Sequence, residues 1–178
     1  MLKRLVDIII AVLVLVLFFL LFILVAIAIK LESKGPVIFR QERVTIGAKL
    51  FRIHKFRSMT VGKSGTSLTD VENAKRITKV GKFVRKSHID ELLQFVDVLY
   101  GNMTIVGPRP EVPEYIKYHK EKWKKVLKVK PGITGYGTLK CMDYEYNTLA
   151  ASKDPQQDYI NKVLPKKLDL EIEYINKQ

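Results

Sequence analysis

Along the chain, apolar and polar positions divide into two regimes. From Ile8 to Ile29 there are 22 consecutive apolar residues without a Gly, a Pro or a polar side chain. As one helix this run would extend about 33 Å, enough for a hydrocarbon core of about 30 Å. A membrane helix is therefore expected. The run ends in Lys30-Leu31-Glu32-Ser33-Lys34 and not at a small-residue cleavage site, so it reads as a retained anchor. Lys30, Lys34, Arg40 and Arg43 outweigh Lys3 and Arg4, which puts the rest of the chain in the cytoplasm. Both flanks are basic, so charge leaves open a simple span and a helix that dips in and returns. Asp7, at the edge of the run, needs the interface or a partner such as Lys3 or Arg4.

Beyond residue 34 the pattern is that of a charged globular chain. Val37 to Arg57 is rich in β-branched and aromatic residues around a turn at Ile46-Gly47-Ala48, which predicts a hairpin. Residues 60–70 read as a small polar loop. Its Gly62-Lys63-Ser64 is not a phosphate loop, because Arg57 stands where that motif needs Gly. Lys75, Arg76, Lys79, Lys82, Arg85 and Lys86 then form a basic stretch. Ile89, Leu92, Leu93, Val96, Leu99 and Tyr100 recur at helical spacing, with Asp90, Gln94 and Asp97 on the opposite side and Gly101 as a stop, so a helix over 88–100 is predicted. Met103 to Val106 reads as a short strand or buried connector, and Gly107 to Glu111 cannot be helical before Pro110. A second, lysine-rich helix is expected from about Glu111 to Val129, suited to an anionic lipid surface or to plain solvent.

Charge and cysteine content narrow the class. Lys plus Arg number 31 against 18 Asp plus Glu, a net charge of +13. The single Cys, Cys141, excludes an internal disulfide framework and a multi-cysteine zinc site. The charge admits a membrane-anchored basic adaptor for anionic lipid or nucleic acid. Such an adaptor gives no reason for the ordered chemistry that follows, and no nucleic-acid partner is expected.

Ser87-His88-Ile89-Asp90 has capping-box spacing, so Ser87 and Asp90 either cap the predicted helix or place a carboxylate where helix amides hold phosphate. Arg85 and Lys86 add positive charge there. An ionised carboxylate beside a phosphate site is a nucleophile toward phosphorus. Glu91 points about 100° away around the helix, so a separate role, such as holding Mg²⁺, suits it better than a facing pair. Arg109, between Pro108 and Pro110, is either a rigid-turn residue paired with Glu111 or a phosphate clamp. Lys130 to Gly135 is a Pro/Gly turn, structural or anion-binding. His54, His88 and His119 lack metal-ligand spacing.

Together these segments resemble the bacterial sugar transferase family, the monotopic phosphoglycosyl transferases that act on polyprenyl phosphate. The resemblance is carried by Lys3 to Asp7, Lys34-Gly35-Pro36-Val37-Ile38-Phe39-Arg40-Gln41-Glu42-Arg43-Val44, Lys55-Phe56-Arg57-Ser58-Met59, Arg85 to Leu92, Gly101 to Glu111 and Lys130 to Gly135, in that order. It implies an α+β membrane protein with a re-entrant helix and flanks at 1–34. A compact cytoplasmic catalytic domain of amphipathic helices and a small hairpin would occupy 35–178, on the cytoplasmic face of the bacterial inner membrane among its lipids. It implies a UDP-sugar donor, attack by Asp90 on the sugar-linked phosphate with release of UMP, and transfer of the phosphosugar to undecaprenyl phosphate. Glu91 would be the carboxylate associated with Mg²⁺, and Lys55, Arg85 and Arg109 would bind substrate, with Asp154 a further substrate-binding candidate. A homodimer is compatible with the sequence, which does not set stoichiometry. Phe19-Leu20 aligns with the family's Ser-Pro, so the re-entrant kink lacks a local cause here and a straight span is its rival. Leu93 replaces a Pro, and the chain after Gly137 diverges from better-known members.

Overall fold

The computed structural model describes residues 2–61 and 76–177. The predicted loop, for residues 62–70, and Lys75 of the basic stretch lie outside the described residues. The chain forms two compact units, Met1–Gln41 with Ile53–Gly101, and Glu42–Arg52 with Asn102–Gln178. The hairpin contributes to both: strands β1 (Ile38–Thr45) and β2 (Lys49–Phe56) join through a short turn at Ile46–Ala48, in which Gly47 has φ 69°.

In the first unit the apolar run is two helices, α1 (Leu2–Leu17) and α2 (Phe19–Glu32), bent by 59° at Phe18. Among the described residues no single helix is long and apolar enough to cross a membrane, whereas the bent pair together is. The bend has no proline. It follows from what each half packs against: α1 lies on α4 (Gln94–Leu99) and α2 on α3 (Lys79–Lys86). Fully buried Ala11 lets α1 sit close, and Asp7, one turn earlier, is buried with it.

Side chains distant in sequence close the helix ends. The Arg4 guanidinium donates to Val98 O (2.7 Å) and Leu99 O (3.2 Å), satisfying terminal carbonyls of α4. Arg57, 5% exposed, donates to Lys34 O (2.6 Å), Ser33 O (2.7 Å) and Ser33 Oγ (3.0 Å), where the chain leaves α2. In the other direction Glu32 accepts from Lys79 N (2.6 Å) and Val80 N (3.0 Å), and Thr78 Oγ1 from Gly81 N (2.9 Å), so the first turn of α3 is capped twice. Val25, Ile29, Phe56, Val84 and Ile89 form one buried apolar cluster of this unit.

The second unit is built around β3 (Thr104–Val106) and β4 (Gly132–Thr134), parallel with Thr104 opposite Gly132 and Val106 opposite Thr134. Its remaining helices are α5 (Lys120–Val126), α6 (Tyr136–Ala150), α7 (Pro155–Asp158) and α8 (Leu164–Asn176), the last two joined by a π-turn at Tyr159–Val163. Trp123, Val126, Cys141, Tyr159, Val163, Leu164 and Leu168 fill its core. The helix expected over 111–129 is broken. The chain is extended at Val112, Pro113 opens a 3₁₀ turn to Tyr115, and α5 begins only after His119 at φ 53°. Pro113 can start a helical turn but lacks the N–H to continue one. The predicted Pro/Gly turn at 130–135 is instead the strand β4 and its flanks.

Gly81 measures how tightly α3 is seated, since a Cβ there would lie 2.0 Å from Ser58 O. Gly81→Ala is expected to destabilise the protein by about 1–3 kcal/mol, read as a lowered unfolding midpoint.

Candidate active site

The predicted helix over 88–100 starts differently from its sequence reading. Ser87 is the C-cap of α3, its Oγ donating to Phe83 O (2.8 Å) and Val84 O (3.2 Å), so it caps no helix that follows and the capping box does not form. His88 then takes a left-handed conformation (φ 55°), which turns the chain so that Ile89 and Asp90 enter the interior. Ile89–Leu93 is a 3₁₀ helix that leads into α4, and Gly101 at φ 80° ends it.

The polar side of this segment is buried. Asp90, Gln94 and Asp97 are 9%, 2% and 0% exposed, while Leu99 and Tyr100 are exposed. The reason is β2, which presents polar partners. Asp97 accepts from His54 N (2.9 Å) at one oxygen and meets His54 Nδ1 (2.8 Å) at the other. Burial pushes the Asp97 pKa up, and both His54 contacts oppose it. One residue along β2, Lys55 Nζ lies 2.8 Å from Glu91 Oε1 in a half-buried ion pair.

Asp90 sits beside that pair. Burial raises its pKa above the ordinary carboxylate value, Lys55 opposes the rise, Glu91 adds to it, and Arg85 opposes it. Desolvation outweighs the neighbouring cations. A carboxylate with a raised pKa is a stronger base and nucleophile once ionised. Arg85 is exposed, in the last turn of α3, where its charge also suits the helix terminus. The first unit thus brings together Asp90, Glu91, Lys55 and Arg85.

Arg109 and Asp154 belong to the second unit. Arg109 is half-buried at the end of the β3 segment, where glycines make close approach possible. A Cβ at Gly132 would lie 2.2 Å from Gly107 N, and one at Gly135 2.3 Å from Gly107 O. Gly107 N donates to Thr134 O (2.9 Å) and Gly132 N to Pro108 O (2.8 Å), which clamps the turn before Arg109. The turn after it is held by Arg43 Nη1 on Pro110 O (3.1 Å), and by Glu111, whose carboxylate accepts from Tyr159 OH (2.6 Å) and Val112 N (3.0 Å). A crevice of about 10 Å³ beside Arg109, Trp123 and Leu127 has room for one water and no substrate. Asp154 is exposed and caps α7, accepting from Gln157 N (3.1 Å).

Among the described residues no cluster of three or more His, Cys, Asp or Glu forms a metal cage. Mg²⁺ binds through one or two carboxylates with substrate phosphates completing its shell, and Glu91, already paired with Lys55, is the carboxylate expected to hold it. Sequence reading missed the His54–Asp97 pair. Its one signal was an acid recurring seven residues after Asp90, on the same helical face.

The model of the family described as Bacterial sugar transferase matches residues 1–178. The chain is 38% identical over 183 residues (98% of this chain) to a UDP-glucose:undecaprenyl-phosphate glucose-1-phosphate transferase of Escherichia coli K12. It is 42% identical over 155 residues (83% of the chain) to one of the same name from Klebsiella pneumoniae. A UDP-N-acetylgalactosamine-undecaprenyl-phosphate N-acetylgalactosaminephosphotransferase of Aeromonas hydrophila is 42% identical over 150 residues (78% of the chain). The chain spans 36%, 32% and 34% of the lengths of these relatives.

The raised Asp90 pKa has a stability consequence. As pH rises from the acid side the unfolded chain loses this proton first, and the folded chain must then ionise a buried carboxyl, so Asp90 lowers stability above the ordinary carboxylate range. Asp90→Asn is expected to raise the melting temperature at pH 7 and to lose that advantage near pH 3; equal melting temperatures at both pH values would contradict the burial of this charge.

Proposed function

The chain belongs to the bacterial sugar transferase family, and from that premise we propose that it moves a phosphosugar from a UDP-sugar to undecaprenyl phosphate. The observation that carries the proposal is Asp90, a buried carboxylate beside the Lys55–Glu91 pair. An Asp90 oxygen attacks the sugar-linked phosphorus, and the bond from that phosphorus to the bridging oxygen breaks, releasing UMP. The resulting acyl phosphate is then attacked by an oxygen of undecaprenyl phosphate, which forms the lipid diphosphosugar and regenerates the carboxylate. Lys55 offsets part of the desolvation of the Asp90 carboxylate and orients Glu91. Mg²⁺, when bound by Glu91 with Asp90 nearby, would neutralise phosphate charge. Arg85 and Arg109 are proposed to bind substrate phosphates. The relatives' names differ in their sugar, so the family leaves the sugar open. Asp154, as a helix cap, supports the fold in this reading more directly than a substrate.

A bacterial inner-membrane location is part of the same proposal. Leu5, Ile9, Leu13, Val16, Leu20 and Leu24 all point outward from α1 and α2, a surface that water disfavours and lipid does not. The bend favours a helix that enters and returns, with both ends cytoplasmic.

Purified protein with Mg²⁺, undecaprenyl phosphate and a panel of UDP-glucose, UDP-galactose and UDP-N-acetylgalactosamine is expected to release UMP from at least one donor. Asp90→Ala should lower that rate by about 10³-fold or more. Mass spectrometry of the trapped protein should find the phosphosugar on Asp90; UMP release that survives Asp90→Ala would remove it as nucleophile. For topology, a Cys placed at residue 2 is expected to resist a membrane-impermeant thiol reagent in intact cells, and efficient labelling would establish a straight span instead.

A further inference from the structure

The buried pair of His54 and Asp97 takes no part in the proposed chemistry. Among the described residues β2 pairs only with β1, so it has a second edge whose backbone groups need partners outside the sheet. Asp97, 0% exposed, meets that edge: one carboxylate oxygen accepts from His54 N (2.9 Å), and the other lies 2.8 Å from His54 Nδ1. The acceptor is itself fixed, because Arg4 donates to the carbonyls of Val98 and Leu99, the two residues that follow it. Earlier on the same helical segment, Glu91 Oε1 meets Lys55 Nζ (2.8 Å), with both side chains less than one-fifth exposed. Two adjacent residues of one strand are thus held by two acids of the continuous segment 89–99.

We infer that Asp97 is a positioning residue for Lys55: by holding the backbone amide of His54 it fixes the point from which the next side chain leaves β2, and so the place of the ammonium that meets Glu91 beside Asp90. Stability alone does not call for an acid here, since apolar side chains of similar volume are often as good as a buried charged pair or better. What apolar side chains cannot do is accept from a strand-edge amide, so they leave the strand free to shift along the helix. Lysine reaches its partner through a flexible four-carbon stem, and an origin displaced by about 1 Å is enough to spoil a reacting geometry. The inference rests on the reading of Lys55 and Glu91 as parts of the transferase site.

The assay is UMP release by the full chain in lipid nanodiscs with Mg²⁺, undecaprenyl phosphate and the donor turned over fastest by the wild type. The double substitution His54→Leu with Asp97→Leu is expected to leave the melting temperature unchanged or higher. It should lower kcat by about 10- to 100-fold while the KM of the donor stays within about twofold. Asp97→Asn, whose amide oxygen still accepts from His54 N, should keep kcat within about threefold. With Lys55→Ala already present, adding the double substitution should change kcat by less than about twofold, because it acts through that side chain. Labelling with acetic anhydride, read by mass spectrometry, follows Lys55 without turnover. Relative to exposed Lys82, Lys55 should be acetylated about fivefold faster in the double variant and at the wild-type ratio in Asp97→Asn. Wild-type kcat in the double variant, a loss additive with Lys55→Ala, a loss in Asp97→Asn as large as in the double variant, or an unchanged Lys55 labelling ratio would each overturn the positioning role. So would failure of both the double variant and Asp97→Ala to fold, which would make the acid purely structural; if only one folds, it decides. Turnover indifferent to Lys55→Ala would also overturn it. If the wild type releases no UMP from any donor, the transferase reading itself fails, and the labelling ratio alone decides whether Asp97 positions Lys55.

Discussion

The polar face of the segment from Ile89 to Leu99 turns inward because one strand answers it. His54 takes both oxygens of Asp97 and Lys55 takes Glu91, so consecutive residues of β2 hold acids six residues apart in sequence. Pairs of this kind add little net stability over apolar packing, but losing one partner strands a buried charge, and that penalty makes other registers unfavourable. Once the register is set, Asp90 has nowhere to go but the interior. Its raised pKa is therefore a consequence of its neighbours' pairing.

From that constraint the rest of the first unit follows outward. The left-handed turn at His88 separates α3 from the carboxylates, and the helices on either side of it give α1 and α2 different surfaces to lie on. The apolar run bends because its halves are fastened to different helices, with Arg4, Arg57 and Glu32 closing the ends. The side chain of Arg57 is spent on helix-end carbonyls.

The second unit is held together by another route. Gly107, Gly132 and Gly135 let two backbones approach to distances that no side chain allows, and the turn bearing Arg109 is pinned between them and Arg43. Glu111 serves this turn as an acceptor. An acid thus does structural work around the basic one, while around Asp90 basic and imidazole groups surround acids.

Much of this was legible along the chain. The apolar run, the hairpin around Gly47, the stop at Gly101 and the short strand near Ile105 follow from local rules, because side-chain period and the backbone freedom of glycine act within a few residues. The ordered motifs also marked Asp90, Glu91, Lys55, Arg85 and Arg109. Periodicity showed that Asp90, Gln94 and Asp97 share a face but could not say that the face is buried, since that depends on what β2 offers from forty residues away. Ser87 was read with the wrong helix because a capping pattern is local and a left-handed His88 is not announced by its side chain. The helix expected over 111–129 failed where Pro113 and the hydrogen bonds of Glu111 outcompeted helical propensity. What sequence alone determined is the set of elements and the chemical inventory; which carboxylate is desolvated, where the apolar run bends and what anchors Arg109 were decided by tertiary contacts, because electrostatics and burial depend on distance in space.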